Sequence, residues 1–193
     1  MESGPAPSGF YIVVNGQIES AEFAEDDLYV RYGFSFGADW TIVDGVETGL
    51  SQIARKNTGA DQTVVWNFPI DIAFKSTNAF GWPRMSISVY GVDQFGRDVV
   101  RGYGSVLIPT YPGAYVRYAH VYTPVPSSLW QRLSSWFSGS HAEFYDSKFV
   151  TRGEHRDVTR VQFTGVVKVK LDVVTRGMGA IGFSPASATT HDD

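Results

Sequence analysis

The strongest constraint in this sequence is a row of apolar side chains at every second position between residues 64 and 74. Its members are Val64, Trp66, Phe68, Ile70, Ile72 and Phe74. Polar residues, including Asn67 and Asp71, fall between them. Successive side chains of a β-strand point to opposite faces, whereas a helix repeats every 3.6 residues. The segment is therefore predicted to be a strand with one face in a core.

A second row of the same kind lies near the C-terminal end of the chain. Its members are Val161, Phe163, Val167, Val169, Leu171 and Val173. The row predicts a strand with these residues facing inward and the residues between them facing outward, with a kink at Gly165 because glycine weakens regular strands.

Several shorter runs are also typical of strands, since they are rich in Val, Tyr and Phe and end at turn-forming residues. They cover residues 10–14, 28–36, 85–90 and 99–108. Asn15 and Gly16 are predicted to end the first run as a turn. Residues 93–96 are predicted to join the last two runs as a hairpin.

One segment alone has the spacing of a helix. Ser127 or Ser128 can cap it, and Gly139 follows its end. Its apolar side carries Trp130, Leu133, Trp136 and Phe137. This side either covers the core or is an exposed docking face, and in the second case these four residues are the predicted partner contacts.

These elements predict an all-β chain, an antiparallel β-sandwich of about eight strands with one short amphipathic helix as an insertion. Regular alternation of strands and helices, which would indicate a parallel sheet, is lacking. We predict one domain over residues 10–183, with small, polar and disordered tails at residues 1–9 and 184–193.

The charge balance argues against nucleic acid as a partner, because a net charge of -4 and an isoelectric point near 5.5 provide no overall positive field. The chain contains no cysteine, so disulfides and thiolate metal sites are excluded. No apolar stretch has the length of a membrane span. These features favour a cytosolic protein.

No candidate catalytic or cofactor motif has the surrounding sequence that its function requires. Residues 177–182 spell GMGAIG, but Pro185 follows too closely for the helix that a dinucleotide site requires. His120, His141, His155 and His191 lack the spacing of metal ligands. We therefore expect no enzymatic activity and no cofactor.

Calcium is also not expected, since a calcium-binding loop needs several carboxylates that converge on one ion. The candidate pairs are Asp93 with Asp98, Asp39 with Asp44, and Asp26 with Asp27. None of them belongs to a dense run of alternating aspartates, so turn capping is the favoured interpretation.

Two further features predict contact surfaces. Pro69 cannot donate a backbone hydrogen bond, so its strand is predicted to lie at a sheet edge or to contain a bulge, and an exposed edge is a possible docking site. Arg160, Lys168 and Lys170 lie on the outward side of the last strand. They are either ordinary solvated residues or a patch for anionic lipid or an acidic partner.

Several runs of residues closely resemble the B9 domain family. They are residues 65–71 (VWNFPID), 74–78 (FKSTN), 81–83 (GWP), 88–91 (SVYG) and 98–104 (DVVRGYG). Residues 15–20 (NGQIES), 135–137 (SWF) and 158–161 (VTRV) extend the resemblance. It covers nearly the whole predicted domain, and its order along the chain makes it specific.

The resemblance implies a C2-like β-sandwich that acts as a non-enzymatic subunit of the ciliary transition-zone complex associated with Meckel syndrome. The implied partners are other B9-domain proteins and transition-zone membrane proteins, on the cytoplasmic side of the transition zone and at the basal body. The implied task is to support ciliogenesis and to restrict which membrane proteins enter the cilium. The alternative is a peripheral C2-like module that binds phosphoinositides through its basic residues.

Overall fold

The computed structural model describes residues 9–59, 62–93, 95–124 and 161–182. Nine strands and one short 3-10 helix form in these residues. The strands are β1 (Phe10–Phe23), β2 (Leu28–Ser35), β3 (Trp40–Gly45), β4 (Thr48–Leu50), β5 (Val64–Ser76), β6 (Arg84–Val92), β7 (Asp98–Leu107), β8 (Gly113–Pro124) and β9 (Val161–Arg176). The 3-10 helix, Met178–Ile181, occupies the glycine-rich sequence after β9.

The nine strands form one curled antiparallel sheet in the order β3-β5-β1-β9-β8-β7-β6-β2-β4. A single residue pair, Tyr103 with Tyr122, joins β7 to β8, so the sheet folds over at this point. The first five strands in that order make one layer and the last four make the other. The predicted all-β antiparallel sandwich is therefore confirmed, with nine strands in place of about eight.

Aromatic side chains hold the two layers together. Phe74 of β5 lies 5.5 Å, between ring centroids, from Phe34 of β2 in the opposite layer. The buried Trp66 donates a hydrogen bond of 3.0 Å from its Nε1 to the carbonyl oxygen of Leu28, also in β2. The alternating row of β5 is therefore the inward face that the sequence predicts. The buried indole nitrogen of Trp66 has the hydrogen-bond partner that a buried polar group requires.

The inward face predicted for β9 is correct only from Val167 onward. Val161 and Phe163 are 51% and 54% exposed. The register between β8 and β9 shifts by one residue here: Val121 pairs with Gly165, but Tyr122 pairs with Phe163. β9 therefore contains one extra residue at this point. Such a bulge reverses the alternation between its two sides, so Phe163, which precedes the extra residue, lies opposite the outward-facing Tyr122.

The turn predicted at Asn15 and Gly16 is wrong, because β1 continues through both residues to Phe23. Gly16 pairs with Ile70 on one side and with Leu171 on the other. A Cβ atom at Gly16 would collide with the backbone carbonyl of Lys170. Glycine thus allows a close approach of neighbouring strands here and does not reverse the chain.

Pro69 does not lie on an edge strand, which corrects one of the two alternatives predicted for it. β5 lies between β3 and β1, but β3 pairs only with residues 72–76. The last backbone hydrogen bond on that side runs from Val46 to Asp71. Since Pro69 and Asp71 are two residues apart and point the same way, the proline nitrogen faces the space beyond the end of β3.

The other alternative, a bulge, is present close to Pro69. The pairing of β1 with β5 shifts between Ile18 and Ser20, and Asn67 has a φ of 46°. The hairpin predicted for residues 93–96 is confirmed by the pairing of β6 with β7. The predicted helix that carries Trp130, Leu133, Trp136 and Phe137 lies outside the described residues.

Replacement of Phe74 by alanine tests the aromatic contacts between the layers. Phe74 is fully buried, so the variant should lose about 3–5 kcal/mol of unfolding free energy. Phe80→Ala is the matched control, because this ring is 81% exposed and its loss should change stability by less than about 0.5 kcal/mol. Urea denaturation measures both, and equal effects of the two variants would contradict the assigned core.

Candidate interaction surface

The candidate site is the solvent-facing side of the first layer, which we call the outer face. It consists of the outward side chains of β5, β1, β9 and β8, which are neighbours in that order. Antiparallel pairing places these side chains in rows that cross the four strands. The composition of the outer face therefore follows directly from the register of the strands.

One row brings together two residues that the sequence analysis proposed separately. Pro69 of β5 is opposite Gln17 of β1, which is opposite Lys170 of β9. On the far side of Lys170 the row continues to Val116 of β8. Since neighbouring strands lie about 4.8 Å apart, Pro69 and Lys170 belong to one surface roughly 10 Å across.

Lys168 and Lys170 form ion pairs with the same carboxylate. Glu19 of β1 accepts a hydrogen bond of 3.1 Å from Lys168 Nζ to its Oε1, and Lys170 Nζ lies 2.7 Å from its Oε2. Hydrogen bonds from the two lysines hold the pKa of Glu19 below its ordinary value of 4.5, and the bond from Lys170 has the larger effect. One of the two lysine charges is thus compensated within the chain.

A shallow groove of about 440 Å³ lies beside this ion-pair network. Glu19, Asn67, Tyr118 and Lys168 contribute to its walls. The groove arises where both β1 and β5 depart from regular pairing, between Ile18 and Ser20 on β1. It combines polar groups with an aromatic wall and has no single-sign charge.

Exposed aromatic rings extend the outer face along β8 and β9. Tyr118 is 61% exposed and lies opposite Lys168. Further along, the Phe163 ring centroid is 5.9 Å from that of Tyr122 and 6.1 Å from that of His120. Exposed aromatic rings that cluster in this way are typical of surfaces that bind other proteins.

Sequence reasoning missed this aromatic cluster. β8 carries aromatic residues on both faces, Tyr115 on one and Tyr118 on the other, so it has no clean alternation of apolar and polar residues. The sequence predicts a kink at Gly165, but the irregularity at this position is a one-residue bulge, which places Phe163 on the outer face and not in the core. Assignment of residues 113–124 as a strand would have placed Tyr118 and Tyr122 together on one face, opposite to that of Tyr115.

The remaining predicted contact residues cannot be placed on this surface. Arg160 lies outside the described residues, as do the four apolar residues of the predicted helix. Within the part of the chain that the structure describes, no helix combines the length and apolar character needed to cross a membrane.

Five of the six carboxylates considered for calcium, those of Asp26, Asp27, Asp39, Asp44 and Asp93, accept local hydrogen bonds. Asp93 accepts hydrogen bonds from the backbone N–H groups of Arg97 and Phe95, and it forms an ion pair with the Arg97 guanidinium. These contacts lower the pKa of Asp93, and the hydrogen bond from the Arg97 backbone has the largest effect. Asp26 accepts hydrogen bonds from the backbone of Lys56 and Asp27, which lower the pKa of Asp26. Among the described residues, no group of three or more His, Asp or Glu side chains could hold a metal ion.

A family model described as "Ciliary basal body-associated, B9 protein" matches residues 12–174 of the chain. The match covers seven of the nine strands fully and most of β1 and β9. It therefore extends over the outer face except for the two residues at the start of β1 and the two at the end of β9.

Individual relatives agree with the family match. B9 domain-containing protein 1 of Xenopus laevis is 52% identical over 97% of this chain and 94% of its own length. B9 domain-containing protein 2 of Rattus norvegicus is 29% identical over 88% of this chain and 95% of its own length. Among solved structures, a C2 domain of plant Extended Synaptotagmin 1 aligns with a TM-score of 0.42 and 14% identity, over 86% of this chain and 95% of that chain.

The pH dependence of stability tests the ion pairs of Glu19. Because the pKa of Glu19 is lowered by folding, its contribution is present above about pH 4.5 and is lost as the pH falls through the folded-state pKa. Glu19→Gln should therefore be less stable than the wild type at neutral pH, and the two proteins should converge in acid. Urea midpoints across the pH range measure this, with Glu22→Gln as a control on the same strand, and a difference that persists in acid would contradict the assignment.

Proposed function

The chain belongs to the B9 family of ciliary basal body-associated proteins, and on that premise we propose that it is a non-enzymatic subunit of the ciliary transition-zone complex. In this proposal it assembles with other B9-domain proteins and contacts transition-zone membrane proteins. The complex supports ciliogenesis and restricts which membrane proteins enter the cilium. The chain acts on the cytoplasmic side of the transition zone and at the basal body.

The observation that carries the proposal is the composition of the outer face. It presents the exposed aromatic rings of Tyr118 and Phe163, and Tyr118 lies opposite Lys168, whose charge is partly compensated by Glu19. Protein interfaces are enriched in aromatic residues and poor in uncompensated charge at their centres. The outer face therefore suits another folded protein surface better than a strongly charged ligand.

A B9-domain partner is favoured because the family contains distinct members that align with this chain over most of their length. Proteins named B9 domain-containing protein 1 and B9 domain-containing protein 2 both do so. Homologous sandwiches offer similar faces and edges to one another, and such surfaces can pair without large rearrangement. We place this assembly on the outer face.

The proposal assigns the chain no catalytic step, no cofactor and no calcium. The family description names a ciliary association and no reaction. The carboxylates of Asp26 and Asp93 already accept backbone hydrogen bonds, which stabilise turns. In this account the carboxylates stabilise local structure, and binding is the only chemistry required of the chain.

The phosphoinositide alternative depends on Arg160, which lies outside the described residues, and on Lys168 and Lys170 as free cations. Their shared contact with Glu19 leaves a net charge of about one unit, which weakens the attraction to anionic headgroups. The alternative predicts vesicle binding that is lost when both lysines are replaced by glutamate. The assembly proposal predicts no such dependence.

Assembly can be tested by co-expressing the chain with the B9 domain-containing protein 2 of the same species. We expect the two proteins to co-elute in gel filtration. The double replacement Tyr118→Ala with Phe163→Ala should weaken the complex at least about tenfold, because central aromatic residues usually dominate interface energies. Isothermal titration calorimetry measures the change.

Phe95→Ala is the matched control for this experiment. Phe95 is 81% exposed but lies in the loop between β6 and β7, away from the outer face. Its replacement should leave the affinity unchanged. Failure of the wild-type proteins to co-elute would remove the assembly proposal, and an equal loss in the control would remove the outer face as its site.

A further inference from the structure

The fold leaves one strand edge open where the sheet folds over, along the first half of β8. β8 pairs with β9 over its whole length, but a single residue pair, Tyr103 with Tyr122, joins it to β7. Just after β7, the N–H of Ile108 donates at 3.2 Å to the carbonyl oxygen of Pro83, which precedes β6 in the second layer. β8 begins in the first layer, so the two strands diverge toward this end. We call residues 114–118 of β8 the β8 edge.

Side chains on both sides of the β8 edge are exposed. Val116 and Tyr118 are 46% and 61% exposed on the outer face. Arg117 lies on the other side of the strand, which further along carries the buried Ala119 and Val121, yet Arg117 is exposed as well. A strand that is covered by the opposite layer buries one of its two sides. The second layer therefore does not reach this part of β8.

The backbone of the β8 edge directs hydrogen-bonding groups away from β9. A Cβ atom at Gly104 of β7 would lie 3.0 Å from the carbonyl oxygen of His120, so this carbonyl faces β7. Every second residue of a strand directs its backbone groups to the same side. The residues of the β8 edge that face this way are Ala114, Val116 and Tyr118. In the described part of the chain, no backbone group of another segment bonds to them on that side.

The two terminal edges of the sheet are protected against strand addition, whereas the β8 edge is regular. β3 contains a bulge at Val43, and the N–H of Gly45 donates at 2.8 Å to the carboxylate of Asp44. β4 is only three residues long. The register of β8 with β9 is unbroken from Gly113 to Val121, and this stretch contains no proline. Since bulges, short strands and prolines are devices that prevent edge pairing, the β8 edge is the one suited to accept a strand.

One charge determines which strand fits the β8 edge. Arg117 is the only Lys, Arg, Asp or Glu residue between positions 113 and 121, and its guanidinium carbon lies 5.1 Å from the ring centroid of Tyr115. None of the described carboxylates forms an ion pair with it. A charge at a sheet edge hinders pairing unless the added strand compensates it. A strand with a carboxylate is therefore favoured over a second copy of this chain, which would bring another Arg117.

We propose that the B9-domain partner adds a strand to the β8 edge, with apolar side chains over Val116 and Tyr118 and a carboxylate beside Arg117. The inference rests on the proposed function and specifies how the partner binds. Val116 and Tyr118 belong to the outer face, so the added strand is continuous with the surface assigned to the partner. Five extended residues span about 17 Å, which is a common strand length. Backbone hydrogen bonds along this edge fix the register of the two proteins, and the side chains select the partner.

Amide hydrogen exchange of the full chain, followed by NMR, tests the geometry. In the free chain, the N–H groups of Val116 and Tyr118 should exchange at least about tenfold faster than those of Tyr115 and Arg117, which face β9. Addition of B9 domain-containing protein 2 of the same species should then slow the exchange of Val116 and Tyr118 at least about tenfold. Equal exchange of all four groups in the free chain, or no slowing in the complex, would overturn the inference.

Replacement of Val116 by proline removes one N–H group from the β8 edge. Because this N–H faces away from β9, the fold should be retained, with a urea midpoint near that of the wild type. The complex should weaken at least about tenfold in isothermal titration calorimetry, since the proline ring also blocks the approach of a strand. Val116→Ala is the matched control, because it keeps the N–H, and it should weaken the complex less than about threefold. Equal losses in the two variants would contradict backbone pairing.

Reversal of the charge at Arg117 tests the partner's carboxylate without a change in the backbone. The side chain is exposed, so Arg117→Glu should fold as the wild type does. Like-charge repulsion should weaken the complex about tenfold, whereas Arg117→Lys should stay within about threefold of the wild type. Unchanged binding of Arg117→Glu, or an equal loss in both variants, would contradict the carboxylate.

Gel filtration separates this inference from the proposed function. Failure of the wild-type proteins to co-elute would remove both. Co-elution of the wild-type proteins, together with wild-type affinity of Val116→Pro and Arg117→Glu, would leave the proposed function and overturn only the added strand. A dimer of the chain alone that Val116→Pro dissociates would assign the β8 edge to a second copy and would also overturn the proposal.

Discussion

The structure depends on the aromatic contact between the two layers, in which β5 faces β2. Phe74 lies against Phe34, and Trp66 reaches across to the backbone of Leu28. These contacts bury the inner face of each layer. In the described residues the sandwich offers its outer faces, edges and end loops to the solvent, so its contacts with other molecules are made there.

The charge of the outer face depends on the register between β1 and β9 and not only on the β9 sequence. Lys168 and Lys170 read as a basic patch because they alternate along one strand. Glu19 is 149 residues away from Lys168 in the sequence, yet the β1–β9 pairing places its carboxylate between the two ammonium groups. The local charge is therefore decided by which strand lies beside β9, and that information is not contained in the β9 sequence.

Where alternation is strict, the sequence was sufficient to predict the structure. The β5 row and the β9 row from Val167 onward are inward faces, as predicted, because period two admits only one assignment when one side is apolar. The prediction failed at Phe163, because the irregularity expected at Gly165 is a one-residue bulge that reverses the faces, and a glycine in a strand does not by itself distinguish a kink from a bulge. It also failed at Gly16, where a turn dipeptide serves close strand packing, and at β8, whose aromatic residues lie on both faces. The exposed cluster around Tyr122 could not be found because of the bulge in β9 and because the aromatic residues of β8 lie on both faces.

The central claim of this account is that the outer face, and not an end of the sandwich, receives another B9-domain protein. Site-specific photocrosslinking tests it directly, with a benzoyl-phenylalanine at position 118 and, separately, at position 95. The account predicts a crosslink to B9 domain-containing protein 2 from position 118 and none from position 95. A crosslink from position 95 alone would contradict it.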